Sequence, residues 1–351
     1  MKSKISIYKI NFESSLLEAM KQMDLLDKKL LLVFDDSQFI NLISIGDIQR
    51  AILKGKSLQL PIKDVLRLNT KVADEKMSLK DIKKLMREFR MELMPVINSE
   101  NELIDVYFWD ELFLKENIKN DVKLDVPVVI MAGGKGTRLR PLTNVIPKPL
   151  IPIGEKTIVE EIINKFEGVG CHKYYLSVNY KVDVIKHYFE SLQNKNYTVD
   201  YFQEEKPLGT AGSMYLLKGE IKTTFFVSNC DILIDQDIEE IYKYHVNNGN
   251  DITMVSAMKH YKIPYGTIET GDNGVLDKMS EKPEITYQIN TGVYILEPHV
   301  LDLIPDNKFY HITELIKDLK AGGGKVGVFP VSEGAWKDIG QWDEYLKMIK
   351  V

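Results

Sequence analysis

Apolar residues recur at helical spacing from Ser15 to Met23, and the run Leu30-Leu31-Leu32-Val33-Phe34 that follows is closed by Asp35-Asp36, which predicts a helix and then a strand. A second short strand is predicted over Phe39 to Ile43, and then a helix opened by Ser44 to Asp47 and continued through Ile48, Ala51 and Ile52. The same order returns further on: a helix from Ser78 to Phe89, strands at Leu93 to Ile97 and Leu103 to Phe108 around a turn at Asn98 to Asn101, and a helix from Asp110. Two copies of one helix-strand-strand-helix unit are therefore expected, over residues 1–62 and 63–122. The stretch Leu112 to Lys123 is charged and has no clear period, so it reads as a linker and sets a domain boundary near residue 123.

From Pro127 the pattern changes. A buried strand is predicted at Val128 to Met131, followed by a glycine-rich loop and then by strands and helices in alternation. Strands are expected at Lys173 to Val178, Thr198 to Phe202, Thr224 to Ser228, Ile252 to Met258, Gly292 to Leu296 and Lys325 to Pro330. Helices are expected at Ile158 to Glu167, Val182 to Leu192, Thr210 to Leu217, Ile238 to Asn247 and Ile312 to Lys320. Residues 123–351 thus read as an α/β domain behind an α+β repeat pair.

With 351 residues the chain is long enough for more than one core, and 44% hydrophobic with 28% charged residues is an ordinary globular composition. The formal charge of -5 comes from mixed acids and bases and lacks the basic excess of a nucleic-acid binder. Lys83, Lys84, Arg87 and Arg90 sit among apolar residues at helical spacing and read as a solvated helix face. The two cysteines, Cys171 and Cys230, belong to no metal-ligand or disulfide pattern. No stretch approaches the roughly 18 apolar residues of a membrane span. The expectation is a cytoplasmic protein with neither nucleic acid nor membrane among its partners.

The sharpest chemical signal is Met131-Ala132-Gly133-Gly134-Lys135-Gly136-Thr137-Arg138-Leu139, placed directly after an apolar strand. Glycines there let the backbone approach a phosphate chain, and Lys135 and Arg138 put positive charge beside exposed N–H groups. The spacing is not that of a Walker A loop, and Leu139 stands where a dinucleotide fingerprint needs its third glycine. Downstream come Arg140-Pro141-Leu142-Thr143 and Pro147-Lys148-Pro149-Leu150. Over this whole signature, and in order through residue 340, the chain resembles the sugar-1-phosphate nucleotidyltransferases.

That resemblance implies a mostly parallel, doubly wound, Rossmann-like sheet with nucleotide bound at the strand ends. It implies that Ala132, Gly133, Gly134, Gly136 and Thr137 cradle the nucleotide, that Arg138 holds the β- and γ-phosphates, and that Lys148 neutralises the α-phosphate. Glu204, Gly209 and Thr210 would form the base-binding turn, with a helix N-terminus capped by Thr210 as the plain structural reading of the same residues. Asp231 and Asp338 would hold one Mg²⁺ together with the phosphates. Cys230 departs from the family's usual glycine before that aspartate and weakens the expectation of close packing against the ligand there. Gly266, Glu281, Asn290 and Thr291 would contact the sugar, and Lys282 its phosphate. Such transfer needs positioning and charge stabilisation more than a general base, and His311 is read as a structural residue at a helix start.

The N-terminal repeat resembles a pair of CBS motifs, the Bateman module that binds adenine nucleotides. By that resemblance Ser44 and Asp47 would meet phosphate and ribose at a helix start, and Asp110 would be the acid of the second copy. A purely structural or dimerising module is the alternative, and a homodimer is within the expectation. A CBS pair ahead of this catalytic domain resembles the guanylyltransferases of legionaminic acid pathways, which implies GTP and glucosamine 1-phosphate as substrates. Mannose 1-phosphate with GTP, glucose 1-phosphate with a thymidine or uridine triphosphate, and a nucleotide sensor without turnover are the other readings.

Overall fold

The computed structural model describes residues 5–26, 28–67, 70–88, 91, 93–109, 112, 123–193 and 195–349. The chain divides into two compact units, Met1–Ile118 and Lys119–Val351, and the division falls inside the charged stretch read as a linker.

In the first unit β1 (Lys9–Asn11), β2 (Leu30–Asp35) and β3 (Gln38–Ser44) form one sheet, and β4 (Ala73–Asp74), β5 (Leu93–Ile97) and β6 (Leu103–Phe108) form another. The pairing repeats: β1 is parallel to β2 and β2 antiparallel to β3, as β4 is to β5 and β5 to β6. Each copy therefore opens with a short strand that the sequence pattern did not show, because two or three residues carry too little alternation to register. Leu32, Phe34, Phe39 and Leu42 of the first copy share one core with Ile82, Met86, Leu93 and Val106 of the second. Asp110 and the helix expected from it lie outside the described residues.

The second unit adds β7 (Val128–Met131), β8 (Pro152–Ile153), β9 (Lys156–Thr157), β10 (Lys173–Val178), β11 (Thr198–Gln203), β12 (Phe225–Asn229), β13 (Ile232–Ile234), β14 (Ile252–Lys262), β15 (Thr267–Thr270), β16 (Leu276–Ser280), β17 (Glu284–Leu296), β18 (Val326–Val331) and β19 (Trp336–Asp338). Seven of these make one sheet in the order β11-β10-β7-β12-β17-β14-β18. Only β17 runs against its neighbours. The mostly parallel sheet expected from the family resemblance is present.

Alternate residues of the central strands feed two cores, as a sheet covered on both faces requires. Val128, Ile130 and Phe226 pack with the helices Ile158–Glu167, Val182–Ser191 and Ile238–Asn248, whereas Val129, Phe225 and Val227 pack with the helix Ile312–Ala321 and the turns around Met214 and Val300. Thr157 starts the first of these helices by accepting the Glu160 N–H, while Glu160 accepts the Thr157 N–H in return. The helix expected over Thr210 to Leu217 is one α-turn, Gly209–Gly212, continued by a 3₁₀ segment, Ser213–Leu217. Strands β14 and β17 run well past their expected ends and carry the hairpin β15–β16. Among the described residues no helix is long and apolar enough to cross a membrane.

Candidate active site

The strand order reverses about β7, whose neighbours are β10 on one side and β12 on the other, and ligands of such sheets gather beyond the strand ends at that point. Residue Met131 is in register with Asn229, so the glycine loop leaving β7 and the segment Cys230-Asp231 leaving β12 emerge side by side. Strand β13 then pairs with β19, with Ile232 opposite Asp338 and the Ile339 N–H donating to the Asp231 carbonyl at 2.9 Å. Two aspartates far apart in sequence are thereby set next to each other by a three-residue ladder.

Both carboxylates are met by the same guanidinium. Arg138 stands 3.7 Å from Asp231 Oδ2 and 3.8 Å from Asp338 Oδ2, and Lys148 Nζ donates to Asp231 Oδ2. Asp338 is fixed by the Gly340 N–H at 3.0 Å and by Gln341 Nε2 at 2.9 Å. Lys148 arrives on a 3₁₀ turn, Lys148–Leu150, whose start packs on Gly136; a side chain at Gly136 would meet Lys148 Cβ at 3.0 Å and Thr143 Cγ2 at 2.8 Å. Thr143 ties the same loop by donating to the Gly136 carbonyl at 2.8 Å.

Charge at this cluster is balanced, and its inner pair is shielded from water: the Lys148 side chain is 11% exposed and that of Asp231 7%. Burial alone would depress the Lys148 ammonium, yet neighbouring negative charge holds it above its ordinary value. The Cys230 thiol, pushed by burial to about 12, is neutral at pH 7, so Asp231 is the effective partner. Cys230, where the family usually has glycine, packs into the core.

The cleft beyond the strand ends has a volume of about 430 Å³, and its walls include Arg138, Thr210, Asp231, Asn290, Thr291 and Asp338. Six of the expected site residues thus line one cavity. Asn290 is oriented from both ends, its Nδ2 donating to Tyr294 Oη at 2.6 Å and its Oδ1 accepting the Gly292 N–H at 3.1 Å. Thr291 spends its hydroxyl on the Val255 carbonyl at 2.8 Å. Glu204 is buried behind the glycine loop, where its Oε2 accepts the Leu208 N–H at 2.9 Å and its Oε1 would lie 2.6 Å from any side chain at Gly133. Burial raises the Glu204 carboxyl above its ordinary value. Gly209, at φ 81°, presses on the Tyr310 carbonyl and admits no side chain. No side chain would meet an obstacle at Gly134, so that glycine leaves open space over the loop. Thr137 opens the exposed 3₁₀ turn that carries Arg138, and Ala132 is anchored by donating to the Ser177 carbonyl at 3.0 Å.

One reading is corrected. Thr210 does not cap its own helical turn; its Oγ1 accepts the Ile312 N–H at 3.0 Å, serving the start of the helix Ile312–Ala321 from another element. His311 opens the helix Ile312–Ala321, as read, and also stands on the cleft wall beside Thr210, together with Thr313, Asn229, Tyr294 and Trp336, which the motifs did not reveal. Gly266, Glu281 and Lys282 are exposed at the base of the β15–β16 hairpin, where a side chain at Gly266 would come within 3.1 Å of Glu281 Oε2. They stand together but are not part of the cleft wall.

In the first unit Ser44 and Asp47 form a reciprocal cap at the start of the helix Ile45–Leu53. The buried Asp47 carboxylate also pairs with Arg50 at 2.5 Å and Arg67 at 2.7 Å.

A glycine loop, two adjoining carboxylates, a lysine and an arginine thus meet at the switch point of a mostly parallel sheet, an arrangement suited to holding phosphate. The chain belongs to the nucleotidyl transferase family, which it matches over residues 127–350. It is 31% identical over 231 residues to Probable mannose-1-phosphate guanylyltransferase 3 of Oryza sativa subsp. japonica, a match covering 64% of this chain and 63% of that relative. The chain therefore spans under two thirds of that relative's length. Among solved structures it is similar to HddC from Yersinia pseudotuberculosis, at 27% identity and a TM-score of 0.51, with 64% of this chain and 98% of that one covered. It is similar also to HddC complexed with GMP-PN, at 26% identity and a TM-score of 0.50 over the same shares.

Proposed function

We propose that the second unit transfers a nucleotidyl group from GTP to a hexose 1-phosphate, with pyrophosphate as the other product. The observation that carries this is the convergence of Asp231, Asp338 and Arg138 on one cleft wall, with Lys148 paired to Asp231. A phosphate oxygen of the sugar phosphate attacks the α-phosphorus of the triphosphate; the new P–O bond forms as the bond to the β-bridging oxygen breaks, and the electron pair leaves on pyrophosphate. Arg138 holds the departing phosphates, and Lys148 offsets charge at the α-phosphate. The attacking oxygen is already anionic at neutral pH, so the cleft needs no general base.

Asp231 and Asp338 supply hard oxygen donors of the kind Mg²⁺ takes, and Gly340 behind them leaves the space that a side chain would fill, at 2.2 Å from Asp231 Oδ2. These residues fit the ion, which when bound would neutralise phosphate charge. Guanine is favoured by the relatives' names.

For the acceptor we assign glucosamine 1-phosphate, on the resemblance of the repeat-plus-catalytic arrangement to legionaminic acid guanylyltransferases. Mannose 1-phosphate is the second reading, favoured by the name of the rice relative. For the first unit we propose an adenine-nucleotide sensor of the CBS type, supported by the identical strand pairing of its two copies and by Ser44 and Asp47 at a helix start. Pyrophosphate release measured across four triphosphates and several sugar 1-phosphates tests the catalytic reading. Release with GTP and one of the two acceptors is expected, and silence with every pair would leave a sensor without turnover. The same assay with added AMP or ATP tests the first unit, whose sensing role fails if neither binds nor changes the rate.

A further inference from the structure

We infer that Lys148 and Arg138 keep Asp231 closed to a divalent cation in the free enzyme, and that a nucleoside triphosphate opens the cation site by drawing both basic side chains onto its phosphates. The inference rests on the nucleotidyl-transfer reading of the same cleft and adds to it an order of assembly and a second duty for Lys148.

The geometry makes ammonium and metal ion alternatives at one oxygen. Asp231 Oδ2 accepts from Lys148 Nζ and has Arg138 at 3.7 Å. Its surroundings are tight, since a Cβ on Gly340 would stand 2.2 Å from that oxygen and 3.1 Å from Lys148 Nζ. Among the described residues the Asp231 carboxylate is held by these two cations alone, whereas Asp338 is pinned by Gly340 and Gln341 as well. Asp338 is thus a fixed ligand and Asp231 an exchangeable one.

Electrostatics points the same way. Two carboxylates facing one lysine and one arginine carry no net charge, so a lone divalent cation gains little there and must first evict a buried ammonium. Lys148 cannot simply retreat to water, its side chain being 11% exposed, and leaving a buried charge unpaired is costly. A triphosphate removes the obstacle by offering both basic groups new anionic partners and leaving the carboxylates for the metal. By linkage, metal and nucleotide then raise each other's affinity by the same factor.

The test is the binding of Mn²⁺ to the full-length protein, followed by loss of the free-ion electron paramagnetic resonance signal in the absence of any nucleotide. Wild type is expected to bind weakly, K148M at least about tenfold more tightly, and the double variant K148M/D231N as weakly as wild type, which places the gained site on Asp231. Equal Mn²⁺ affinity in wild type and K148M overturns the inference, as does a gain that survives D231N. R138M, altered at a side chain 60% exposed, is the second probe should K148M lose its near-ultraviolet circular dichroism, and it should show a smaller gain of the same sign. An unchanged Mn²⁺ affinity in R138M overturns the inference in that case. Pyrophosphate release on the same wild-type preparation separates the two claims: release together with tight nucleotide-free Mn²⁺ binding sinks only the lock, whereas no release with any triphosphate sinks the reading beneath it.

Discussion

Asp47 in the first unit and Asp231 in the second are both buried, and each faces two basic side chains, Arg50 and Arg67 in one case and Lys148 and Arg138 in the other. What surrounds them differs. Asp47 accepts the N–H and hydroxyl of Ser44 and so closes the first turn of a helix, whereas the Asp231 carboxylate, among the described residues, accepts from no backbone group and lines a cleft. Burial and ion pairing alone therefore do not single out an acid whose carboxylate faces a cleft. The distinguishing feature is coordination left unspent toward a cavity.

The largest effect that would break this contrast is on turnover. D231N should lower kcat/KM by about a hundredfold to a thousandfold, the scale of losing one transition-state charge partner. D47N should leave it within about twofold at saturating substrate, and a comparable loss from both changes would erase the distinction. Next comes G340A, whose added Cβ would collide with Asp231 Oδ2 at 2.2 Å and displace the carboxylate without touching the core. A drop in kcat of about a hundredfold is expected with an unchanged near-ultraviolet spectrum, the scale of an ångström of misplacement at a reacting centre.

D47A should be felt in stability instead. The change leaves the Ser44 N-cap but removes its reciprocal partner and unpairs Arg50 and Arg67; charge-assisted hydrogen bonds of this kind are worth about 1–3 kcal/mol, a loss visible in denaturant unfolding of the first unit and absent from the rate. The smallest effect concerns a structural polar cluster in the second unit, where the buried His245 meets Thr253 at 2.8 Å and Glu297 at 3.1 Å. Burial lowers its protonation below the ordinary histidine range. The neutral ring therefore contributes stability that is present above the unfolded-state value and is lost as pH falls through the folded-state value. The melting temperature should decline on acidification, and H245Q should flatten that decline.

Much of both units was readable because the signals are local. The glycine loop after an apolar strand, Ser44 at a helix start and the continuous apolar runs of β7 and β12 each state their structure within a few residues. The cleft wall is another matter. Asn229, Tyr294 and the helix start at His311 and Thr313 come from three elements and meet through the β12–β17 pairing and the Thr210 to Ile312 contact, and no short window of sequence encodes such a meeting. The pairing of β13 with β19 was equally hidden, since three-residue strands show no alternation, although it is what sets Asp338 beside Asp231. The first unit taught the converse lesson: the hydroxyl and acid that a ligand would use at Ser44 and Asp47 are also a complete helix cap.

With a triphosphate bound, Asp231 and Asp338 would together hold one divalent ion while Lys148 turns to the phosphates. A crystal structure of the protein with Mn²⁺ and a nonhydrolysable GTP analogue, with anomalous scattering recorded for manganese, tests it most directly. A single anomalous peak within ligand distance of both carboxylates, with Lys148 on the α-phosphate, is the expected result. A peak elsewhere, or a nucleotide bound with Lys148 still on Asp231, would contradict it.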